Sequence, residues 1–183
     1  DDGGMCGRFL LHSPVDLLQR AFGFNELPNL QPRYNVAPTQ TAPVVVQQPD
    51  GSREARLMKW GLVPFWADDP GIGSRMINAR GETIREKPAF RSAFAARRCV
   101  VPISGFYEWQ ALEGSKTKQP WYIHKKDGTP MYVAGLWEKW SKGDQPLESF
   151  TLITTSPNDL MRPIHDRMPV ILALADVGTW LRG

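Results

Sequence analysis

Residues 99–109, with the sequence CVVPISGFYEW, form an apolar run rich in β-branched and aromatic side chains, which predicts a strand. Turn signals such as Pro49-Asp50-Gly51 bound some of the other apolar runs, and Asp127-Gly128 predicts a hairpin turn. Further strands are predicted at residues 44–48, 53–60, 121–125, 131–140, 150–155 and 168–174. The chain is therefore expected to be strand-rich.

Helical signals are few and short. Ser13 and Pro14, followed by apolar residues at helical spacing, predict a short helix that ends near Gly23. The proline-rich residues 27–43 are expected to form an ordered loop, and residues 80–97 carry a helical pattern that Pro88 splits. Together these patterns predict an α+β fold in which short peripheral helices surround a twisted or barrel-like sheet.

Length and composition fit one compact domain with a substantial core. The chain has 183 residues, of which 42% are hydrophobic and 22% are charged. The apolar runs are much shorter than the roughly 18 residues that a membrane span needs. Cys6 and Cys99 are too few for a disulfide framework, so we expect two free thiols and a cytoplasmic location.

Basic residues are concentrated in one part of the chain. The formal net charge is only +3, but residues 75–98 hold seven basic side chains against two acidic ones. Such a stretch fits either a solvated helix face or a nucleic-acid-binding surface. Most of the seven tryptophans are expected in the core or lining a cleft, where some could stack on bases.

The sequence contains none of the common metal or phosphate motifs. It has no CxxC or HExxH pattern, no GxGxxG and no GxxxxGK[ST], so we predict no metal, no nucleotide and no other cofactor.

The beginning of the chain is unusual. Asp1 to Gly4 resemble the remainder of a cleaved tag, and Cys6 directly follows what we take as the start methionine, Met5. Removal of that methionine would expose a residue with both an amine and a thiol. The alternative is that Cys6 is a small buried hydrophobic residue, as most cysteines are.

Four polar segments lie in apolar, turn-rich surroundings, and together they resemble the SRAP (SOS-response-associated peptidase) family. They are Cys6-Gly7-Arg8, Ile77-Asn78-Ala79-Arg80, Gly105-Phe106-Tyr107-Glu108-Trp109 and Ile164-His165-Asp166-Arg167. Residues 34–39, 60–62, 82–83, 87–88, 90–91 and 98–99 also match, in the same order. The resemblance implies one SRAP domain over residues 5–183, with its C-terminal end shortened.

The resemblance also implies a catalytic group: Cys6 as nucleophile, assisted by Asn78, Glu108 and His165. A lone glutamate among aromatic residues would be desolvated, which would raise its pKa into a useful range for proton transfer. The alternatives are that Glu108 is a hydrogen-bonded strand residue, that His165 is a core histidine, and that the side chain of Asn78 only stabilises a turn. The DNA-binding residues implied are Arg8, Asn35, Pro38, Trp66, Arg80, Trp109, Thr154 and Arg167.

The implied function is abasic site processing on single-stranded DNA. The N-terminal cysteine would form a covalent thiazolidine crosslink with the abasic sugar, through lyase-like chemistry and without a cofactor. The alternatives are a thiol peptidase that can process its own chain and a non-covalent single-strand-binding module. The expected partner is single-stranded DNA and not a membrane. The protein is expected to be a monomer, associated with the nucleoid when acting, or nuclear in a eukaryote.

Overall fold

Ser104 divides the apolar run at residues 99–109 between two sheets. The computed structural model describes residues 6–23 and 31–183. In chain order the described elements are β1 (Phe9–Leu11), α1 (Val15–Phe22), β2 (Arg33–Val36), β3 (Thr41–Gln47), β4 (Arg53–Trp60), a 3₁₀ helix (Pro70–Arg75), β5 (Asn78–Arg80), α2 (Arg91–Ala96), β6 (Arg98–Ile103), β7 (Gly105–Ala111), β8 (Lys118–His124), β9 (Met131–Trp140), β10 (Leu147–Thr155), β11 (Met168–Pro169), β12 (Ile171–Leu172) and α3 (Leu174–Arg182).

Five strands close a barrel in the order β10-β4-β3-β6-β9, because β9 also pairs with β10. Most neighbours are antiparallel, but β10 runs parallel to β4, with Phe150 opposite Trp60. The short strands β5 and β11 both pair with the end of β10, where Thr154 lies opposite Arg80 and Pro169. The α+β, barrel-like fold predicted from the sequence is confirmed.

A second, four-stranded sheet in the order β2-β1-β7-β8 shares the main core with the barrel. Phe9 of β1 and Phe106 of β7 are fully buried in that core together with Trp60. The ring centroids of Phe9 and Trp60 are 4.9 Å apart. The indole N–H of Trp60 donates to the main-chain oxygen of Ile77 at 3.0 Å, which fixes the chain directly before Asn78.

Three local predictions need correction. Within residues 27–43, predicted as a loop, the described part contains β2 and the start of β3, while residues 27–30 lie outside the described residues. Asp127-Gly128 forms a turn, but not a hairpin, because β8 pairs with β7 and β9 belongs to the barrel. Residues 168–174, predicted as one strand, are two short strands that lead into α3.

The basic stretch at residues 75–98 is not one exposed surface. Only Arg91–Ala96 is an α-helix, and the chain before it consists largely of turns. Nε of Arg97 lies 2.8 Å from Oε1 of the buried Glu138, and Cζ of Arg98 lies 4.2 Å above the ring centre of Phe94. Part of the local positive charge is therefore used in internal contacts rather than on a nucleic-acid-binding surface.

Both cysteines are free thiols, as predicted, and both are buried. Burial raises the pKa of the Cys99 thiol far above its usual range. Among the described helices none is long and apolar enough to cross a membrane.

Candidate active site

Cys6 lies three residues before the start of β1, with its side chain buried in the main core. Its main-chain oxygen accepts a hydrogen bond from Nδ2 of Asn78 at 3.3 Å. Asn78 begins β5 and is held by the parallel pairing of that strand with β10, where it lies opposite Leu152. The other amide atom, Oδ1, is buried and accepts no hydrogen bond from the described residues, so it remains available to an N–H donor.

Glu108 sits in the middle of β7 and points into the core because Phe106, two residues earlier, shares that face. Its carboxyl group is fully buried, and neither oxygen makes a hydrogen bond to the described residues. Burial, with a smaller contribution from the negative charge of Asp166, raises the pKa of Glu108 to about 8. The group therefore carries a proton at neutral pH and can donate it.

His165 lies beside Glu108, on the turn that follows Met161. Its Nε2 is 3.9 Å from Oε2 of Glu108, which is too long for a hydrogen bond. Its Nδ1 accepts the backbone N–H of Arg167 at 3.2 Å, and Oδ1 of Asp166 is 3.3 Å from the same nitrogen.

Three contacts fix the turn that carries His165. The backbone N–H of His165 donates to the oxygen of Met161 at 2.9 Å, and the side chain of Met161 is buried in the main core. Oδ1 of Asn158 accepts the N–H of Met161 at 2.9 Å. Gln110, on the same face of β7 as Glu108, donates from Nε2 to the oxygen of Pro163 at 2.8 Å. The imidazole is therefore positioned from both the core and the sheet.

The Cys6 thiol is held in its neutral form. Burial raises its pKa well above the usual value, and the charge of Glu108 acts in the same direction. A thiolate is the more reactive nucleophile, so this environment does not favour a first step that depends on an ionised sulfur.

Two predicted DNA-binding residues lie on the small sheet close to Cys6. Nη1 of Arg8 donates to Oδ1 of Asn35 at 3.2 Å, and this pair is exposed. Pro38, half-buried, belongs to the turn between β2 and β3, where Thr39 has a φ of 72°. Asn35 and Pro38 lie in the segment in which β2 leads into β3, and Arg8 contacts that segment through Asn35.

Trp66 and Trp109, also predicted to contact DNA, are 43% and 38% exposed. The indole N–H of Trp66 donates to the oxygen of Pro88 at 3.3 Å. Trp109 lines an open cavity of about 300 Å³ together with His165 and Lys118. Arg80 is exposed at the end of β5, two residues after Asn78.

Arg167 and Thr154 do not have the exposed positions expected of DNA contacts. Both are buried, and the Arg167 guanidinium is bonded to both carboxylate oxygens of Glu82 at 3.1 and 2.8 Å. It also donates to the main-chain and hydroxyl oxygens of Thr154. These contacts brace the end of β10 against the turn that carries His165.

No role was predicted for Gln110, and the partner of Arg167 was not predicted. Gln110 could have been found, because the period of two along a strand puts it on the same face as Glu108. The pairing of Glu82 with Arg167 joins residues 85 apart in the chain and leaves no local signal. Among the described residues no three His, Cys, Asp or Glu side chains are grouped so that they could hold a metal ion.

Comparison with known proteins places this geometry in a family. The sequence profile of the family described as SOS response associated peptidase (SRAP) matches residues 5–183. The abasic site processing protein YoaM of Bacillus subtilis is 47% identical over 181 residues, which cover 97% of this chain and 79% of that protein. The abasic site processing protein HMCES of Pongo abelii is 31% identical, covering 97% of this chain and 64% of that protein.

Solved structures agree with the sequence matches. A crystal structure of a protein from Bacteroides thetaiotaomicron superposes with a TM-score of 0.85 at 30% identity, over 96% of this chain and 81% of that chain. A second, from Bordetella bronchiseptica, gives a TM-score of 0.81 at 25% identity, over 96% and 88% of the two chains. By its sequence and by its fold, the chain belongs to the SRAP family.

Proposed function

We propose that this protein processes abasic sites in single-stranded DNA by linking itself covalently to the sugar through Cys6. The observation that carries the proposal is the position of Glu108, a fully buried carboxyl group 3.9 Å from His165 and close enough to Cys6 for its charge to raise the pKa of that thiol. Relatives that are named abasic site processing proteins, at 42–47% identity, support the substrate class. We take the active form to be a monomer in the compartment that holds DNA.

The reaction needs a chain that begins at Cys6. In the sequence as written, Met5 precedes Cys6, so the nitrogen of Cys6 is part of a peptide bond. The lone pair of a peptide nitrogen is delocalised into the carbonyl and does not attack an aldehyde. Cleavage between these two residues frees an amine whose ordinary pKa of about 7.7 to 8.0 leaves part of it neutral near pH 7.

The first chemical step opens the sugar. An abasic deoxyribose is mostly a closed hemiacetal, and release of its C1′ aldehyde moves the hydroxyl proton away while the ring oxygen gains one. Glu108 and His165 are the groups placed for these transfers, because they lie 3.9 Å apart and one of them holds a proton at neutral pH.

The second step joins the amine of Cys6 to C1′. The nitrogen adds to the carbonyl carbon and gives a carbinolamine. Loss of its hydroxyl as water, with a proton supplied by Glu108, leaves a protonated imine, and return of the nitrogen proton to Glu108 then gives the imine. Oδ1 of Asn78 is suited to accept an N–H of the attacking amine, because the same side chain already holds the main chain of Cys6.

The third step makes the link stable. An imine is an electron sink that favours β-elimination and strand cleavage. The sulfur of Cys6 attacks the imine carbon, its proton passes to the nitrogen, and a five-membered thiazolidine results. The neutral thiol that the buried site maintains is sufficient here, because the imine is a strong electrophile. Strand cleavage through the imine is then suppressed.

The structure offers less support for the two other functions considered from the sequence. A thiol peptidase would need an ionised Cys6, and the site raises the pKa of that thiol. A purely non-covalent binding module would have no use for a buried glutamate without hydrogen bonds to the described residues, which costs folding free energy.

Three proteins test the proposal: a chain that begins at Cys6, the same chain with Cys6→Ser, and the sequence as written. Each is incubated with an abasic single strand and analysed by intact mass. Only the first is expected to give a heat-stable adduct, with the mass of the DNA plus the protein minus one water. The serine protein keeps the amine and forms at best a reversible imine. Equal crosslinking by the chain as written would rule out the amine mechanism.

A further inference from the structure

The outer face of the β7–β8 hairpin carries a group of rings that neither the barrel nor the catalytic residues use. Glu108 and Phe106 point into the core, so the alternate residues of β7 point outward. The register places Tyr107 opposite Tyr122 and Gly105 opposite His124. We call the four outward side chains Tyr107, Trp109, Tyr122 and His124 the aromatic platform.

The rings of the platform form a continuous series. The centroid distances are 6.4 Å from Trp109 to Tyr107, 5.7 Å from Tyr107 to Tyr122, and 4.8 Å from Tyr122 to His124. The last two rings are nearly parallel, at 26°. Nδ1 of His124 also lies 2.8 Å from the oxygen of Lys125, which fixes the orientation of that ring.

Gly105 explains why the ring of Tyr122 lies against the sheet instead of standing out from it. A Cβ atom at Gly105 would come within 2.3 Å of Cε2 of Tyr122, so the ring occupies the space that any other side chain would fill. With Gly105 on one side and His124 stacked beside it, the ring of Tyr122 is still 42% exposed, so part of it remains accessible.

The platform is continuous with the candidate active site at both ends of β7. The backbone N–H of Tyr107 donates to the oxygen of Arg8, two residues after Cys6, at 3.0 Å. The hydroxyl of Tyr107 donates to the oxygen of Tyr34, next to Asn35. Trp109 lines the cavity that also contains His165. These contacts connect the platform to the segments that carry Cys6 and His165.

We propose that the aromatic platform stacks the bases of the nucleotides next to the abasic site. The inference rests on the proposed function. It adds Tyr107, Tyr122 and His124 to a binding surface that already includes Trp109. Every base has a π-face, so aromatic stacking binds single strands without sequence preference, and a four-stranded sheet with exposed aromatic residues is a known geometry for it. Residues 111–128, around β8, hold four lysines against two acidic residues, which suits a phosphate backbone.

The test uses 2-aminopurine, a fluorescent base that is quenched when it stacks. Single strands of about nine nucleotides carry a non-reactive abasic analogue near the 5′ or the 3′ end, with the probe at successive positions. We expect quenching at two or three adjacent positions on one side of the lesion. Tyr122→Leu should abolish that quenching and raise the Kd of that strand roughly fivefold or more.

The matched control is Tyr122→Phe, which keeps the ring and should keep both the quenching and the affinity. If Tyr122→Leu proves unstable, His124→Leu serves as a second variant, and it should weaken the quenching. Strands that extend on the other side of the lesion, and a trinucleotide with the lesion alone, should bind these variants as they bind the unmodified protein. Unchanged quenching and affinity in both leucine variants would overturn the platform.

The two proposals fail in different ways. If the chain that begins at Cys6 crosslinks an abasic trinucleotide normally but the probe is never quenched by the platform, the proposed function stands and the platform is wrong. If no version of the protein crosslinks, yet the quenching depends on Tyr122, the platform stands as a binding surface and the covalent chemistry is wrong.

Discussion

The side-chain amide of Gln110 donates a hydrogen bond of 2.8 Å to the main-chain oxygen of Pro163, two residues before His165. The indole N–H of Trp121 donates in turn to Oε1 of Gln110 at 2.9 Å, so both ends of this side chain are held. The bond connects the strand that carries Glu108 to the turn that carries its histidine partner. The distance between Glu108 and His165, the two groups proposed to transfer protons, therefore depends on Gln110.

Replacing Gln110 should slow crosslinking without abolishing binding. In Gln110→Ala the turn is no longer tied to β7, and we expect a rate of adduct formation roughly tenfold lower because the catalytic geometry is loosened. The affinity for a non-reactive abasic analogue should change little. Single-turnover crosslinking measures the first quantity and titration the second.

Gln119→Ala is the control for this prediction. Gln119 lies opposite Gln110 in the β7–β8 pair but is exposed and bonds only to the neighbouring Pro120 among the contacts described. Its loss should leave the rate unchanged. A Gln110→Ala protein that reacts at the original rate would mean that the turn is fixed by its other contacts.

Glu108 makes the stability of the fold depend on pH. Its folded pKa of about 8 exceeds the ordinary value of 4.5, so between these values the folded protein keeps a proton that the unfolded chain has lost. The free energy of unfolding should therefore fall as the pH rises through this window. In Glu108→Gln the group no longer titrates, and the variant should be a few kcal/mol more stable than the unmodified protein above pH 8, but not at pH 4.

Urea denaturation at a series of pH values checks this prediction, and the same protein tests the chemistry. Glu108→Gln should lose most of its crosslinking activity although it folds at least as well. A variant that is less stable than the unmodified protein at pH 8 would show that the buried carboxyl makes contacts that offset its desolvation.

Asp166 should tune the pH range of the reaction. Its negative charge is one cause of the raised pKa of Glu108, so Asp166→Asn should lower that pKa. The alkaline limb of the crosslinking pH profile should then move to lower pH by roughly half a unit, since Asp166 is exposed and its charge is screened. Adding salt to the unmodified protein should move the limb in the same direction.

Asp159→Asn serves as the control for the profile. Asp159 is exposed near the start of the same segment, where it pairs with Arg162 at 2.8 Å. Its replacement removes an equal charge and should leave the pH profile where it was. A shift of the same size in both variants would indicate a general charge effect instead of a specific one.

Arg80 should contribute to binding through phosphate contacts. It is exposed at the end of β5, beside Asn78. Arg80→Ala should weaken the binding of all single strands alike and reduce the slope of log K against log salt by about 0.7, as expected for one lost contact. Arg20→Ala, on α1 and paired with Asp16, should leave the slope unchanged. A loss that depends on the base sequence would contradict this assignment.

The sequence predicted the architecture well where local patterns carry it. The strand at residues 131–140 and the helix ending near Gly23 have the predicted positions, because an apolar run and apolar residues at helical spacing are local signals. The helix α3 was missed. It has no side chain that caps its N-terminus, and Gly178 interrupts its middle, so its stability comes from the burial of Val177 and Leu181 against the rest of the fold.

The candidate site was predictable as a set of residues but not as an arrangement. The resemblance pointed to Asn78, Glu108 and His165, and the structure brings Asn78 to Cys6 and His165 to Glu108. The burial of the individual side chains could not be predicted from the sequence. Arg167 looks like a free cation in the sequence, and only the fold reveals that Glu82 neutralises it. Such pairings depend on the tertiary path of the chain, which a motif does not record.

The strand β8 has a further consequence for how the protein behaves in solution. Among the described residues it is an edge of the small sheet, so it exposes main-chain groups that another molecule's strand could extend. Pro120 lies near the middle of this strand and offers no N–H, while Lys118 places a charge at its start. Both features oppose the addition of a second copy's strand at this edge, directly beside the exposed aromatic rings.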